Sequence, residues 1–188
     1  MKKVKMINAQ KTLVAALFLA GVTFGYAQDT IQKNKPVENT TEQVQSAQQN
    51  PVIETLKKQI EANPNDTEAI VKLATAYQDG KDWTNALTTW KKISTLIPEW
   101  APSYYSQAYV YQNMKDDANA KASYEKYIAA VKPEELEANK KNLAYAHFFV
   151  AYQLRETDKE QAKQHLAKSL EYDATNAEAM KLKTFLNQ

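Results

Sequence analysis

Residues 67–100 read TEAIVKLATAYQDGKDWTNALTTWKKISTLIPEW, and residues 101–134 read APSYYSQAYVYQNMKDDANAKASYEKYIAAVKPE. Laid one beneath the other, they put Ala108 under Ala74, Tyr111 under Tyr77, Ala120 under Ala86 and Tyr124 under Trp90. Pro64 and Pro98 keep the same separation. A fixed period of this size marks one supersecondary unit stacked on copies of itself. Stacked units make a surface rather than a catalytic pocket, so the period bears on function as well as fold.

Within a unit the spacing is helical. Ile70, Leu73, Ala74 and Tyr77 fall at i, i+3, i+4 and i+7, one stripe of a 3.6-residue helix. After a break at Gln78–Asp82, a second stripe runs through Trp83, Ala86, Leu87, Trp90, Ile93 and Leu96 to Pro98. Gly80 is expected to end the first helix, since glycine accepts a positive φ without steric cost. Pro98 cannot continue a helix interior and separates one pair from the next. The small residues Ala74, Ala86, Ala108 and Ala120 let paired helices approach, while Tyr77, Trp90, Tyr111 and Tyr124 fill the space alongside. These aromatics read as core packing, not as a cofactor box.

The pattern resembles the tetratricopeptide repeat, with a large residue, Leu, a small residue, Tyr, Ala, an aromatic and Pro spread over a single period. Residues 67–100 carry it through Ile70, Leu73, Ala74, Tyr77, Ala86, Trp90 and Pro98. Residues 101–134 carry it through Tyr104, Ala108, Tyr111, Ala120 and Tyr124, with Gln107 where Leu is usual. A looser third copy spans about residues 143–176, through Tyr145, Phe149, Tyr152, Ala162, Leu166 and Leu170. The step from Ala120 to Ala162 exceeds the period by eight, a surplus that sits around Pro133–Glu137, and the third register is open by one position. Residues 52–66 resemble a half-repeat with Leu56 and Ile60 on its apolar side. Residues 177–187, with Met180, Leu182 and Phe185, resemble a solvated capping helix of the kind repeat arrays need. The resemblance implies an all-α fold over residues 52–188, a right-handed superhelical stack of antiparallel helix pairs.

Residues 1–27 read as a secretory signal peptide: Lys2, Lys3, Lys5 and Lys11, then an apolar stretch from Leu13 to Phe24, then Gly25-Tyr26-Ala27. A retained anchor is the alternative, although a span needs roughly 20 apolar residues. With no cysteine anywhere, a lipoprotein-type attachment is chemically impossible. Residues 28–51 are rich in Gln, Asn, Thr and Glu and read as a polar, disordered linker. The expectation is an exported protein, periplasmic or secreted, with no stable membrane span once the signal is cleaved. The net charge of +2 includes the four signal lysines; without them 20 basic residues stand against 22 acidic, a net of −2. A near-neutral chain whose one arginine is Arg155 lacks the basic footprint of a nucleic-acid binder.

The case for an enzyme is thin. The absence of cysteine removes thiol catalysis, cysteine metal sites and disulfides together. Beyond the signal only Gly80 remains, so no glycine-rich phosphate cradle can form. His147 and His165 are the two histidines, neither at i+4 from the other, and the bland reading of each is a packed or partly exposed helix residue. Glu134, Glu135 and Glu137 fit the first turn of a helix after Pro133. No cofactor or metal is expected.

What remains is a binding surface. The resemblance implies a concave groove lined by the first helix of each repeat. Carried over position by position, it implicates Val71, Thr75, Gln78 and Asp79 in the first repeat and Tyr105, Tyr109, Gln112 and Asn113 in the second. In the third it implicates His147, with Val150 or Ala151 and Leu154 or Arg155. Tyr105 and Tyr109 read either as an exposed pair suited to peptide or sugar recognition or as packing against the neighbouring repeat. The Lys and Asn that grip a partner's C-terminal carboxylate in one branch of the family are replaced here by Val71 and Thr75. The sequence thus supports a non-enzymatic adaptor or scaffold binding a protein or peptide in its groove. A structural subunit working through its outer face and end caps is the alternative.

Overall fold

The computed structural model describes residues 51–188. The expected signal peptide and nearly all of the expected linker lie outside the described residues. Eight α-helices and one short 3-10 turn make up the described chain, and no strand occurs among them. They are α1 (Pro51–Ala62), α2 (Thr67–Asp79), α3 (Trp83–Leu96), α4 (Ala101–Asn113), α5 (Asp117–Ala130), α6 (Leu136–Leu154), α7 (Lys159–Tyr172) and α8 (Ala177–Leu186), with the 3-10 turn at Pro133–Glu135 before α6. The described residues divide into two compact units, one ending at Asp82 and the other spanning Trp83–Gln188.

In the first unit α1 packs on α2. It buries Ile53 and Leu56, while Ile60, expected on the apolar side, is only half-buried. Asp66 starts α2 by accepting a hydrogen bond from the Ala69 amide at 3.0 Å, and the Gln59 side chain donates to its other oxygen at 2.8 Å. One carboxylate therefore caps α2 and ties it to the end of α1.

The end of α2 corrects one expectation. Gly80 keeps an ordinary φ of −77°, and Lys81 takes the left-handed place at φ 57°. The amide of Asp82 donates to the Tyr77 carbonyl and that of Lys81 to the Gln78 carbonyl, the paired bonds of a Schellman turn. The turn recurs one repeat later: Asp116 donates to Tyr111, Lys115 to Gln112, and Lys115 has φ 62°. Glycine thus precedes the strained residue in one repeat and is absent from the other. A lysine in this region bears a Cβ clash that glycine avoids. Lys115→Gly is therefore expected to raise stability by about 0.5–1 kcal/mol, read as a higher urea midpoint. An unchanged or lower midpoint would contradict it.

In the second unit α3 to α8 pack in chain order, each on the next. Ala86, Ala108, Ala120 and Ala162 are all fully buried, as tight helix approaches require. Around Tyr105, Tyr124, Tyr127 and Phe149 lies an aromatic core shared by α4, α5 and α6. A second cluster joins Ala151 of α6 with Ala162 and Leu166 of α7 and Ala179, Leu182 and Leu186 of α8. On α8, expected as a solvated capping helix, Leu182 is buried, whereas Met180 and Phe185 are 47% and 40% exposed.

Two departures from the repeat pattern have local explanations. Gln107, standing where Leu is usual, is buried, and its amide donates to Ser94 Oγ at 3.0 Å and to the Trp90 carbonyl at 3.5 Å. A polar side chain fits there because α3 supplies its acceptors. The surplus between the second and third copies forms the 3-10 turn and lengthens α6 to 19 residues, against 13 in α4. Asn139 secures the insertion: it donates to the Glu135 carbonyl at 2.8 Å and accepts from the Tyr127 hydroxyl at 3.0 Å.

Candidate functional site

Asp116 and Asp158 cap α5 and α7 in the same way, accepting from the backbone amides of Asn119 and Gln161. Aligning these two starts sets α6 and α7 in register with α4 and α5, which places His147 opposite Tyr105, itself in the place of Val71. The position expected to open each groove helix is buried every time: Val71 and Tyr105 are 6% exposed and His147 8%. Gln78 is also buried. Among the other positions Thr75, Tyr109 and Gln112 are half-buried, and Asp79 and Asn113 are exposed. Accessibility thus concentrates at the C-terminal ends of α2 and α4.

Tyr105 is the principal correction. Its ring meets Tyr124 edge-on at 5.4 Å and Tyr127 at 5.1 Å between centroids, so it is a packing residue. The physical reason is that α4 is buried on almost every side. Ser103, Ser106 and Gln107 are buried alongside Tyr105, Ala108 and Val110, so a rotation of about 100° from the expected stripe leads to another packed face. Tyr109 stays half-buried with its ring edge-on to Trp83 at 6.2 Å.

The strongest accessible feature is an aromatic row on α6. Tyr145, Phe148 and Tyr152, at i, i+3 and i+7, follow one another with ring centroids 6.5 and 6.2 Å apart. Tyr152 is 44% exposed, and the Arg155 guanidinium lies 3.8 Å over its ring. Arg155 is held there by donating to the Tyr152 carbonyl at 2.6 Å, which presets a cation–π stack. At the other end of the row Gln112 of α4 donates to the Tyr145 hydroxyl at 2.9 Å and accepts from the hydroxyl of core Tyr124. The row is thereby anchored to α4 and α5, next to exposed Asn113. Phe148, Tyr152 and the stacking role of Arg155 were not among the expected groove residues: Tyr152 was expected in the third copy's signature, and the places on α4 that correspond to Phe148 and Tyr152 are buried Ser106 and Val110.

Sequence reading also left the two histidines apart. Across α6 and α7 their Nδ1 atoms lie 3.0 Å from each other. Burial, then the neighbouring His165 ring, pushes His147 down to about 4, and burial likewise lowers His165. The signal that could have joined them is the repeat itself, for the same two places in the preceding repeat are buried Tyr105 and Ser123. Among the described residues no group of three His, Cys, Asp or Glu side chains could hold a metal ion, and no helix is long and apolar enough to cross a membrane.

Residues 68–96 match one tetratricopeptide-repeat family model and residues 101–130 another. The chain carries tetratricopeptide repeats. Solved structures with such repeats share the fold. The C-terminal part of a repeat-containing protein from Cytophaga hutchinsonii is 24% identical with a TM-score of 0.62, over 74% of this chain and 57% of that one. MamA is 16% identical with a TM-score of 0.54, over 81% of this chain and 95% of its own. The first tetratricopeptide domain of Spaghetti (RPAP3), bound to an HSP90 peptide, is 17% identical with a TM-score of 0.50, over 64% of this chain and 90% of that one. At such identities the likeness is one of fold. Among curated proteins none matches the chain significantly. Beyond the matched residues α6 and α7 form a further packed helix pair.

Proposed function

We propose that this protein is a non-enzymatic adaptor of the bacterial cell envelope that docks a segment of another protein on the aromatic row of α6, beside the C-terminal end of α4. Tetratricopeptide repeats are in general protein-interaction scaffolds, and the Spaghetti domain was solved with a peptide bound. The observation that carries the reading is the row Tyr145, Phe148, Tyr152 with Arg155 stacked at its end. Rings held by packing offer apolar area at low entropic cost, and a preset guanidinium offers a carboxylate its fork. The segment that fits carries apolar side chains with an acidic residue nearby. Val71 and Thr75, where a C-terminal carboxylate clamp would need Lys and Asn, argue for recognition along the segment rather than at its end. The envelope location rests on the basic, apolar and small-residue order of residues 1–27.

The test is affinity capture from the envelope fraction of the native organism, comparing the natural chain with Tyr152→Ala and Arg155→Ala. Both side chains are partly exposed, so the fold should survive. Aromatic anchors of this kind lose about 2 kcal/mol on truncation, roughly 30-fold in affinity. Equal capture by both variants would remove the α6 face from the function. A second reading, an assembly subunit working through its end cap, is favoured by exposed Met180 and Phe185 on α8. It predicts that Met180→Ser with Phe185→Ser abolishes capture while the α6 variants do not.

A further inference from the structure

We propose that His147 and His165 form a proton-operated latch that holds α7, and α8 behind it, on α6. Such a latch needs no partner to operate. Its basis is the 3.0 Å Nδ1···Nδ1 contact, with ring centroids 5.0 Å apart, at a largely buried helix interface. Two neutral imidazoles can make this contact only as opposite tautomers, one ring donating its Nδ1 hydrogen to the Nδ1 lone pair of the other.

Proton addition then proceeds in two unlike steps. The donor ring still has a lone pair at Nε2, and the first proton goes there. That ring becomes an imidazolium, and the bond persists as a charged donor to a neutral acceptor. The second proton has only the accepting Nδ1 left to it. Two Nδ1 hydrogens then face each other across 3.0 Å, and two like charges share one low-dielectric pocket.

The surroundings offer no dedicated counter-ion. From α5, Lys121 and Glu125 act on His165, but they are bonded to each other at 2.6 Å. From α7, Lys168 and Glu171 act on His147, themselves bonded at 2.8 Å, and the Tyr172 ring lies 5.9 Å away. Each histidine therefore faces a neutral ion pair, and burial decides the balance. Because the folded values are depressed, the stabilisation is complete above the ordinary histidine value near 6.5. It is lost as pH falls from there towards about 4. The other links between α6 and α7 do not titrate in this range: Ser169 Oγ donates to the Ala144 carbonyl at 2.8 Å, and Ala151 packs with Ala162. The site of release is thus the histidine pair.

The test follows hydrogen exchange and urea unfolding of the natural chain, with EDTA present, at pH 7.5 and 5.0. Protection of α7 and α8, corrected for intrinsic rates, is expected to fall at least tenfold at the lower pH while α4 and α5 keep theirs. Replacing both histidines, His147→Asn with His165→Asn, should flatten the pH dependence of the urea midpoint. Uniform loss of protection, or an unchanged pH slope in the double variant, would overturn the latch. Should that variant fail to fold, proton NMR of the natural chain decides: ring resonances titrating near 6.5 overturn the proposal, and titration well below it supports it.

Discussion

Tyr124→Ala is expected to lower the stability of the second unit by about 3–5 kcal/mol. Tyr124 is fully buried, and its ring meets Tyr105 at 5.4 Å, Tyr145 at 5.7 Å and Phe149 at 5.2 Å. Truncation removes all three contacts and leaves a cavity that three helices border, so collapse around it is limited. It also takes the hydroxyl from Gln112, whose carbonyl then lacks its donor. Tyr124→Phe keeps the ring and loses the bond to Gln112, at a cost of about 1–2 kcal/mol. Urea denaturation of both variants checks the ordering. Equal midpoints would mean that the hydroxyl rather than the ring holds the core. Since domains hold only about 5–15 kcal/mol in all, the alanine variant should populate unfolded chain under mild conditions.

The second large effect separates two tyrosines one helical turn apart. Tyr105→Ala should cost about 3–5 kcal/mol, because the ring is 6% exposed and meets both Tyr124 and Tyr127 edge-on. Tyr109→Ala should cost about 1 kcal/mol, in keeping with a half-buried ring edge-on to Trp83. Thermal or urea unfolding of each single variant tests the contrast directly. Comparable losses would mean that the two residues share one environment, as an exposed pair on a groove would.

What could be read from the residues followed from the period. Helix pairs, breaks near residues 80, 98 and 114 and the burial of Ala74, Ala86, Ala108 and Ala120 are all consequences of one unit repeated at a fixed interval. Stripe reasoning failed on α4, where Ser103, Ser106 and Gln107 are buried, because a helix packed on several sides has no polar face for a pattern to reveal. It failed again at Gly80, where the strained conformation fell one position later, on Lys81. The aromatic row and the histidine pair were hidden for a different reason. Both depend on which turn of α6 faces which turn of its neighbours, and the surplus before α6 blurred that register. Asn139, bonded to Tyr127 and to Glu135, is what sets it, and its role is invisible without a third dimension.

The contrast between the turns and the seam also bears on how such a chain can be altered. The turns at 77–82 and 111–116 repeat the same bonds at the same length. A single insertion at 111–116 would break the bonds from Lys115 to Gln112 and from Asp116 to Tyr111 that close α4 and lead into α5. The stretch from Pro133 to Glu135 has already absorbed extra length, and an exposed proline and glutamate mark its surface. Epitopes, fluorophore sites or whole inserted modules belong at that seam, at exposed Pro133 and Glu134, where they leave in place the bonds of Asn139 to Glu135 and Tyr127 that set α6.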